Sequence, residues 1–205
     1  MKTTIIFATG NAGKMREIRM IMEAMNVEIL SMKEAGIEIE ICEDGTTFEE
    51  NAGIKAAAVA AAAAERGMKA IVLADDSGLE VDYLNKEPGI YSARYMGEDT
   101  SYRIKNANII SRLEGVPMEQ RTARFVCAIA AVFPDGESVV KRATMEGRIG
   151  YEEEGSNGFG YDPIFILPKY GCSTAALPPD VKNEESHRGK ALRAMKAVIE
   201  EKITV

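Results

Sequence analysis

The chain reads as an α/β protein built on a mixed β-sheet, and three observations lead there. Its first apolar run, Thr4-Ile5-Ile6-Phe7-Ala8, breaks at Thr9-Gly10-Asn11-Ala12-Gly13-Lys14 and is followed by apolar residues at helical spacing, a strand–turn–helix unit. A long alanine-rich helix then precedes a second buried-strand pattern at Ala70–Ala74. In the middle, Pro134-Asp135-Gly136 separates two strand-like runs, a hairpin signal that a purely parallel sheet lacks.

The elements follow in order. Strand 1 is expected over Thr3–Ala8 and helix 1 over Gly13–Met25, with Met15, Ile18, Met22 and Met25 spaced by three and four. A short strand near Val27–Leu30 comes next. Ile37, Ile39 and Ile41 alternate with Glu38 and Glu40, predicting a half-exposed strand or edge segment. Thr46 and Glu49 have the spacing of a capping box opening a helix that ends at Gly67. Ala70–Ala74 is expected to end at a turn through Asp75-Asp76-Ser77-Gly78, with a further strand over Leu79–Tyr83. Pro88-Gly89 marks a turn and Thr100–Leu113 a helix. Ala123–Phe133 and Ser138–Met145 are the hairpin strands. A glycine-rich loop, Gly155–Gly160, leads into Tyr161–Leu167. The final helix, His187–Lys202, carries Leu192, Met195, Val198 and Ile199 on one face.

The 205 residues are read as a single domain, 1–205, compact or made of two closely joined lobes. A chain of this length buries roughly 70% of its unfolded surface and needs no metal or disulfide staple. Three widely spaced cysteines, Cys42, Cys127 and Cys172, argue against a disulfide framework or zinc site and for a reducing, cytoplasmic setting. The start holds too few apolar residues before the glycine loop for a signal peptide. The longest apolar run, Ala56–Ala64, falls short of the ~18 residues of a membrane span. A net charge of −7 disfavours nucleic acid as the main partner, since phosphate backbones demand a basic footprint.

Five segments carry residue types suited to chemistry. Thr9, Gly10, Asn11, Ala12, Gly13 and Lys14 bring backbone N–H groups and a lysine to the positive end of a helix dipole, a cradle for a phosphorylated small molecule. The stretch lacks the Walker A and dinucleotide spacings, and a tight turn with a surface lysine is its bland alternative. Asn11 suits either a helix cap or a ligand contact. Asp75 and Asp76 are neighbours on a strand and face opposite ways, so one is expected to face a site and the other to support the turn. Glu43, ahead of the alanine helix, either complements its dipole or joins Asp76 in holding Mg²⁺, which favours a few carboxylates plus substrate phosphates. In Gly158-Phe159-Gly160-Tyr161-Asp162-Pro163, Phe159 is suited to stack on a flat ring and Asp162 to accept from ring N–H groups; a tight turn with a core phenylalanine is the alternative. His187, the only histidine, adjoins Arg188 at a helix start, where donors converge.

Together these segments resemble the inosine/xanthosine triphosphate pyrophosphatase family. The matching pieces are Phe7–Lys14, Glu43-Asp44-Gly45-Thr46-Thr47-Phe48 with Glu50-Asn51 and Lys55-Ala56, and Ala74–Leu79. They continue with Pro88–Tyr95, Gly158–Phe165 and Ser186–Leu192, in family order over nearly the whole chain. Two stretches depart from it: Ala175–Val181 lacks the usual acidic residues, and Glu185 stands where an apolar residue is common.

The resemblance implies a two-lobed fold around a long mixed sheet, a homodimer, and Mg²⁺-dependent hydrolysis of non-standard purine nucleoside triphosphates to monophosphate and pyrophosphate. It assigns the triphosphate to Thr9–Lys14, the general base and a metal ligand to Asp76, and a second ligand to Glu43. Ser77, Phe159, Gly160, Tyr161, Asp162, Lys182, His187 and Arg188 match positions that contact the nucleotide. His187 and Arg188 are the expected donors to a 6-oxo purine. Two rivals remain at this stage: a metal-independent hydrolase using Ser77 and His187, which lacks the Gly-x-Ser-x-Gly elbow, and a nucleotide sensor without turnover.

Overall fold

The computed structural model describes residues 2–204. The strands are β1 (Thr3–Phe7), β2 (Val27–Ser31), β3 (Ala70–Val81), β4 (Thr122–Val132), β5 (Ser138–Ile149), β6 (Phe165–Leu167) and β7 (Cys172–Ser173). They form one mixed sheet in the order β2-β1-β3-β4-β5-β6-β7. β1 runs parallel to β2 and β3, whereas β5, β6 and β7 pair antiparallel. The helices are α1 (Ala12–Ile21), α2 (Phe48–Glu65), α3 (Tyr102–Arg112), α4 (Pro179–Glu185) and α5 (His187–Thr204). The α/β class and mixed sheet agree with the sequence. Among the described residues no helix is long and apolar enough to cross a membrane.

The chain divides into two compact units. The first holds residues up to Asp76, Cys127–Ala143 and the chain from Arg188 on; the second holds Ser77–Val126 and Thr144–His187. In the first, Ile5 and Phe7 of β1 and Ile71 and Leu73 of β3 join Met15 and Ile18 of α1 and Leu192, Met195 and Ile199 of α5 in one core. Burying side chains of this size contributes about 1.5–3 kcal/mol each. In the second, Leu79, Phe125, Met145, Ile149, Ile164 and Phe165 form the core, with Ile109 and Leu113 from α3 and its C-cap.

Several expectations are corrected. Helix α1 stops at Ile21, capped by Met22, rather than reaching Met25. Ile37–Ile41 keeps its alternation, with Ile37 buried and Glu38 and Glu40 exposed, yet forms no strand. The cap of α2 sits one residue later than predicted: Thr47 Oγ1 accepts from Glu50 N at 3.1 Å. Glu50 Oε2 in turn accepts from Thr46 N at 2.6 Å. The same helix closes as foreseen, Gly67 taking φ +70° while Met68 N donates to Ala63 O. No turn interrupts Asp75–Gly78, because β3 is continuous over 12 residues. Tyr161–Leu167 begins with a 3-10 turn over Asp162–Ile164, and only Phe165–Leu167 is strand. Helix α4 falls in a stretch for which no element was foreseen.

Candidate active site

In the first unit, β1 hands the chain to α1 through Thr9–Asn11. Asn11 is the N-cap of α1: its Oδ1 accepts from Gly13 N at 2.8 Å and Lys14 N at 3.1 Å, and its own N–H donates to Thr9 Oγ1 at 3.1 Å. Of its two expected roles, Asn11 thus performs the cap. Gly10, Asn11, Ala12 and Gly13 lie exposed at the loop surface.

Lys14 turns back toward the sheet. Its Nζ lies 3.0 and 2.8 Å from the two carboxylate oxygens of Asp75, which is 1% exposed. Arg188, itself buried, brings Nε within 3.4 Å of Asp75 and Nη1 within 3.3 Å of Glu17. Burial alone would raise the Asp75 pKa, but Lys14, Arg188 and Lys55 outweigh it and hold the carboxyl well below the usual range. Asp75 is therefore an anchor for buried cations rather than a turn former. Arg188, expected at the base, has its guanidinium beside the lysine of the phosphate loop.

One residue on, the pleat turns Asp76 to the other face. It is partly buried, and its Oδ2 accepts from Asn51 Nδ2 at 3.2 Å. Burial pushes its pKa up to about 6; Glu43 and Asp75 add to the rise, while Lys55 and the Asn51 hydrogen bond oppose it. Lys55 reaches from α2 to Glu43 Oε1 at 2.9 Å and to the Asp75 carbonyl at 3.1 Å. Asn51 is fixed by accepting from Gly45 N at 2.9 Å, an approach only glycine permits, since a Cβ on Gly45 would stand 2.7 Å from Asn51 Oδ1. Glu43 and Asp76, paired by the sequence reading, thus share one electrostatic neighbourhood. Lys55, Asn51 and Glu17 were missed as site residues; Lys55 and Asn51 lay in a matching motif but had no role attached.

In the second unit, the loop before β6 presents Phe159, 61% exposed. Asp162 is buried, and its oxygens accept from Phe159 N at 2.8 Å and Thr174 Oγ1 at 2.9 Å and pair with Lys182. Its carboxylate staples the loop. Lys182 also lies over the Phe159 ring, 5.4 Å from the centroid. Gly158 holds φ +79°, and a Cβ there would meet Asp162 Oδ2 at 2.3 Å, so this crossing requires glycine. Tyr161 is buried, donates its hydroxyl to Ser92 O at 2.7 Å and meets Tyr102 edge-on. His187 stacks on Phe125 with ring centroids 5.1 Å apart, and Ser77 lies half-buried in β3.

An α/β chain with a capped glycine–lysine loop, a carboxylate–lysine cluster and a stapled loop offering an aromatic face has the make-up of an enzyme acting on phosphorylated ring compounds. The Ham1 family model matches residues 5–198, and the chain belongs to that family. It is 48% identical over 200 residues to a dITP/XTP pyrophosphatase of Nitratidesulfovibrio vulgaris, covering 95% of this chain and 94% of that protein. A dITP/XTP pyrophosphatase of Exiguobacterium sibiricum is 44% identical, with 95% and 96% covered. Among solved structures, the Staphylococcus aureus Ham1 protein superposes with a TM-score of 0.87 at 38% identity, covering 98% of this chain and 100% of that one.

Proposed function

We propose that this chain hydrolyses non-standard purine nucleoside triphosphates, those of inosine, deoxyinosine and xanthosine, to the monophosphate and pyrophosphate, with Mg²⁺ required. The observation that carries the reading is Asp76: a carboxylate on β3 whose pKa burial lifts to about 6, inside a cluster that matches the family motif. Such a group is ionised at neutral pH yet basic enough to take a proton efficiently.

In this reading the triphosphate meets the exposed Gly10–Gly13 edge, and Lys14 offsets part of its charge. Asp76 orients a water and accepts its proton as the oxygen attacks the α-phosphorus, and pyrophosphate leaves. Positioning and charge stabilisation supply most of the acceleration. The carboxylates of Glu43 and Asp76 fit a hard cation: they are oxygen donors close enough that Glu43 raises the Asp76 pKa. Bound there, Mg²⁺ would neutralise phosphate charge. Phe159 stacks on the base. His187 donates to a 6-oxo group, and a 6-amino group would leave that donor unpaired at about 1–3 kcal/mol. A cytoplasmic homodimer completes the proposal; it is supported by the family resemblance and by three cysteines that form no disulfide.

Pyrophosphate release from inosine triphosphate with Mg²⁺, against adenosine and guanosine triphosphates, tests the function. Turnover of the inosine compound at least tenfold faster than of the adenosine compound is expected; equal rates would refute the specificity. Excess EDTA should abolish turnover, and full activity in EDTA removes the metal from the scheme. Light scattering on the eluting protein decides the dimer.

A further inference from the structure

We propose that Asn106 is a positioning residue that sets the place of the Phe159 loop and thereby substrate affinity; this rests on the reading that Phe159 stacks on the purine. Asn106 lies on α3, 1% exposed. Its Nδ2 donates to Glu153 Oε1 at 2.8 Å and to the Gly160 carbonyl at 3.3 Å. Those acceptors bracket the glycine-rich segment, one just before Gly155 and the other at its end. One amide therefore ties both ends of the loop to one helix. The ring of Tyr102, on the preceding turn of α3, lies beside Gly160, 3.6 Å from where a Cβ would stand.

Fold stability alone does not account for an asparagine here. Its Oδ1 is buried and accepts no hydrogen bond from any described group, a penalty that leucine of similar volume would avoid. Glu153 is exposed and water would serve it in place of the amide. The Asn106 amide supplies what leucine lacks, a donor to two acceptors at once. Aspartate would fit the space but set a carboxylate against Glu153 and a carbonyl oxygen.

The chain contains no tryptophan, so Phe159→Trp gives a single fluorescent reporter on the loop. Adding Asn106→Leu to that reporter should at least double its quenching by acrylamide while leaving the melting temperature level or higher. In the Phe159 background, Asn106→Leu and Asn106→Asp should raise KM for inosine triphosphate at least fivefold with kcat within twofold. Inhibition by inorganic triphosphate should not change. Combining Asn106→Asp with Glu153→Gln restores a donor–acceptor pair and should recover part of the KM. Unchanged quenching, or an unchanged KM with a reduced kcat, overturns the assignment. If the parent chain does not turn over inosine triphosphate, the functional reading fails, and the quenching experiment still decides the tether.

Discussion

Replacing Asp76 with asparagine separates two properties that the structure joins in one carboxylate. Its pKa rises from an ordinary 3.8 to about 6, chiefly through burial. At about 1.4 kcal/mol per pKa unit, the ionised form destabilises the native state by about 3 kcal/mol. The sign follows from linkage. Between pH 4 and 6 the unfolded chain has lost this proton and the folded chain keeps it, so stability falls as pH rises through that window and stays low above it. Asp76→Asn removes the charge and should stabilise the protein by about 3 kcal/mol at pH 8, a rise of roughly 6–12 °C in melting temperature, shrinking toward zero near pH 4. Pyrophosphate release should be abolished while nucleotide binding persists. In the parent protein, kcat/KM should climb with an apparent pKa near 6. Paired thermal melts at pH 4, 6 and 8, with pyrophosphate assays, check all of this. A variant no more stable than the parent at pH 8 would refute the buried-charge argument, and substantial remaining turnover would refute the catalytic role.

Asp75→Ala should act in the opposite direction, costing about 3–5 kcal/mol in urea denaturation at pH 7, because Lys14 and Arg188 lose a buried counter-charge. The Asp75 pKa lies below the ordinary value, so its contribution is present above pH 4 and lost in acid; the gap between parent and variant should narrow there. Phe159→Ala, at an exposed site, should leave stability within about 0.5 kcal/mol. The lost stacking of about 1–3 kcal/mol should raise KM about 5- to 150-fold in steady-state assays. Gly158→Ala forces a methyl into the Asp162–Lys182 pair at a positive φ and should raise KM by a comparable factor, with unchanged kcat as the check.

What the sequence made legible was local. The strand–loop–helix at the start, the Asn11 cap, the Gly67 terminus and the hairpin at Gly136 each depend on residues within a few positions of one another. The errors have physical causes too. Thr46 and Thr47 both suit an N-cap, and Glu49 and Glu50 both suit its partner, so the register of the box depends on which pair the backbone presents. Asp75–Gly78 carries turn-forming residues, but β3 runs through them unbroken, so their place in the sheet overrides the local preference. Ile37–Ile41 has the alternation of a strand because one side is buried, and no neighbouring strand pairs with it. Lys14 meets Asp75 across 61 residues of sequence, and nothing local announces such a pair.

The adjacency of Asp75 and Asp76 shows how a strand gives two like residues opposite chemistry. A period of two sends the first into a dry interior, where Lys14 and Arg188 hold it ionised, and the second to a partly wet face. Their cations are unequally shared. Lys55 serves Glu43 through its side chain and Asp75 through its carbonyl, so Asp76 has only a fraction of its attraction. The cations around Asp75 hold its pKa low, while burial, with Glu43 and Asp75 adding to it, pushes the Asp76 pKa upward. A group in that condition gains from an added proton or an added cation alike, and both needs belong to a site that takes a proton from water beside a polyanion.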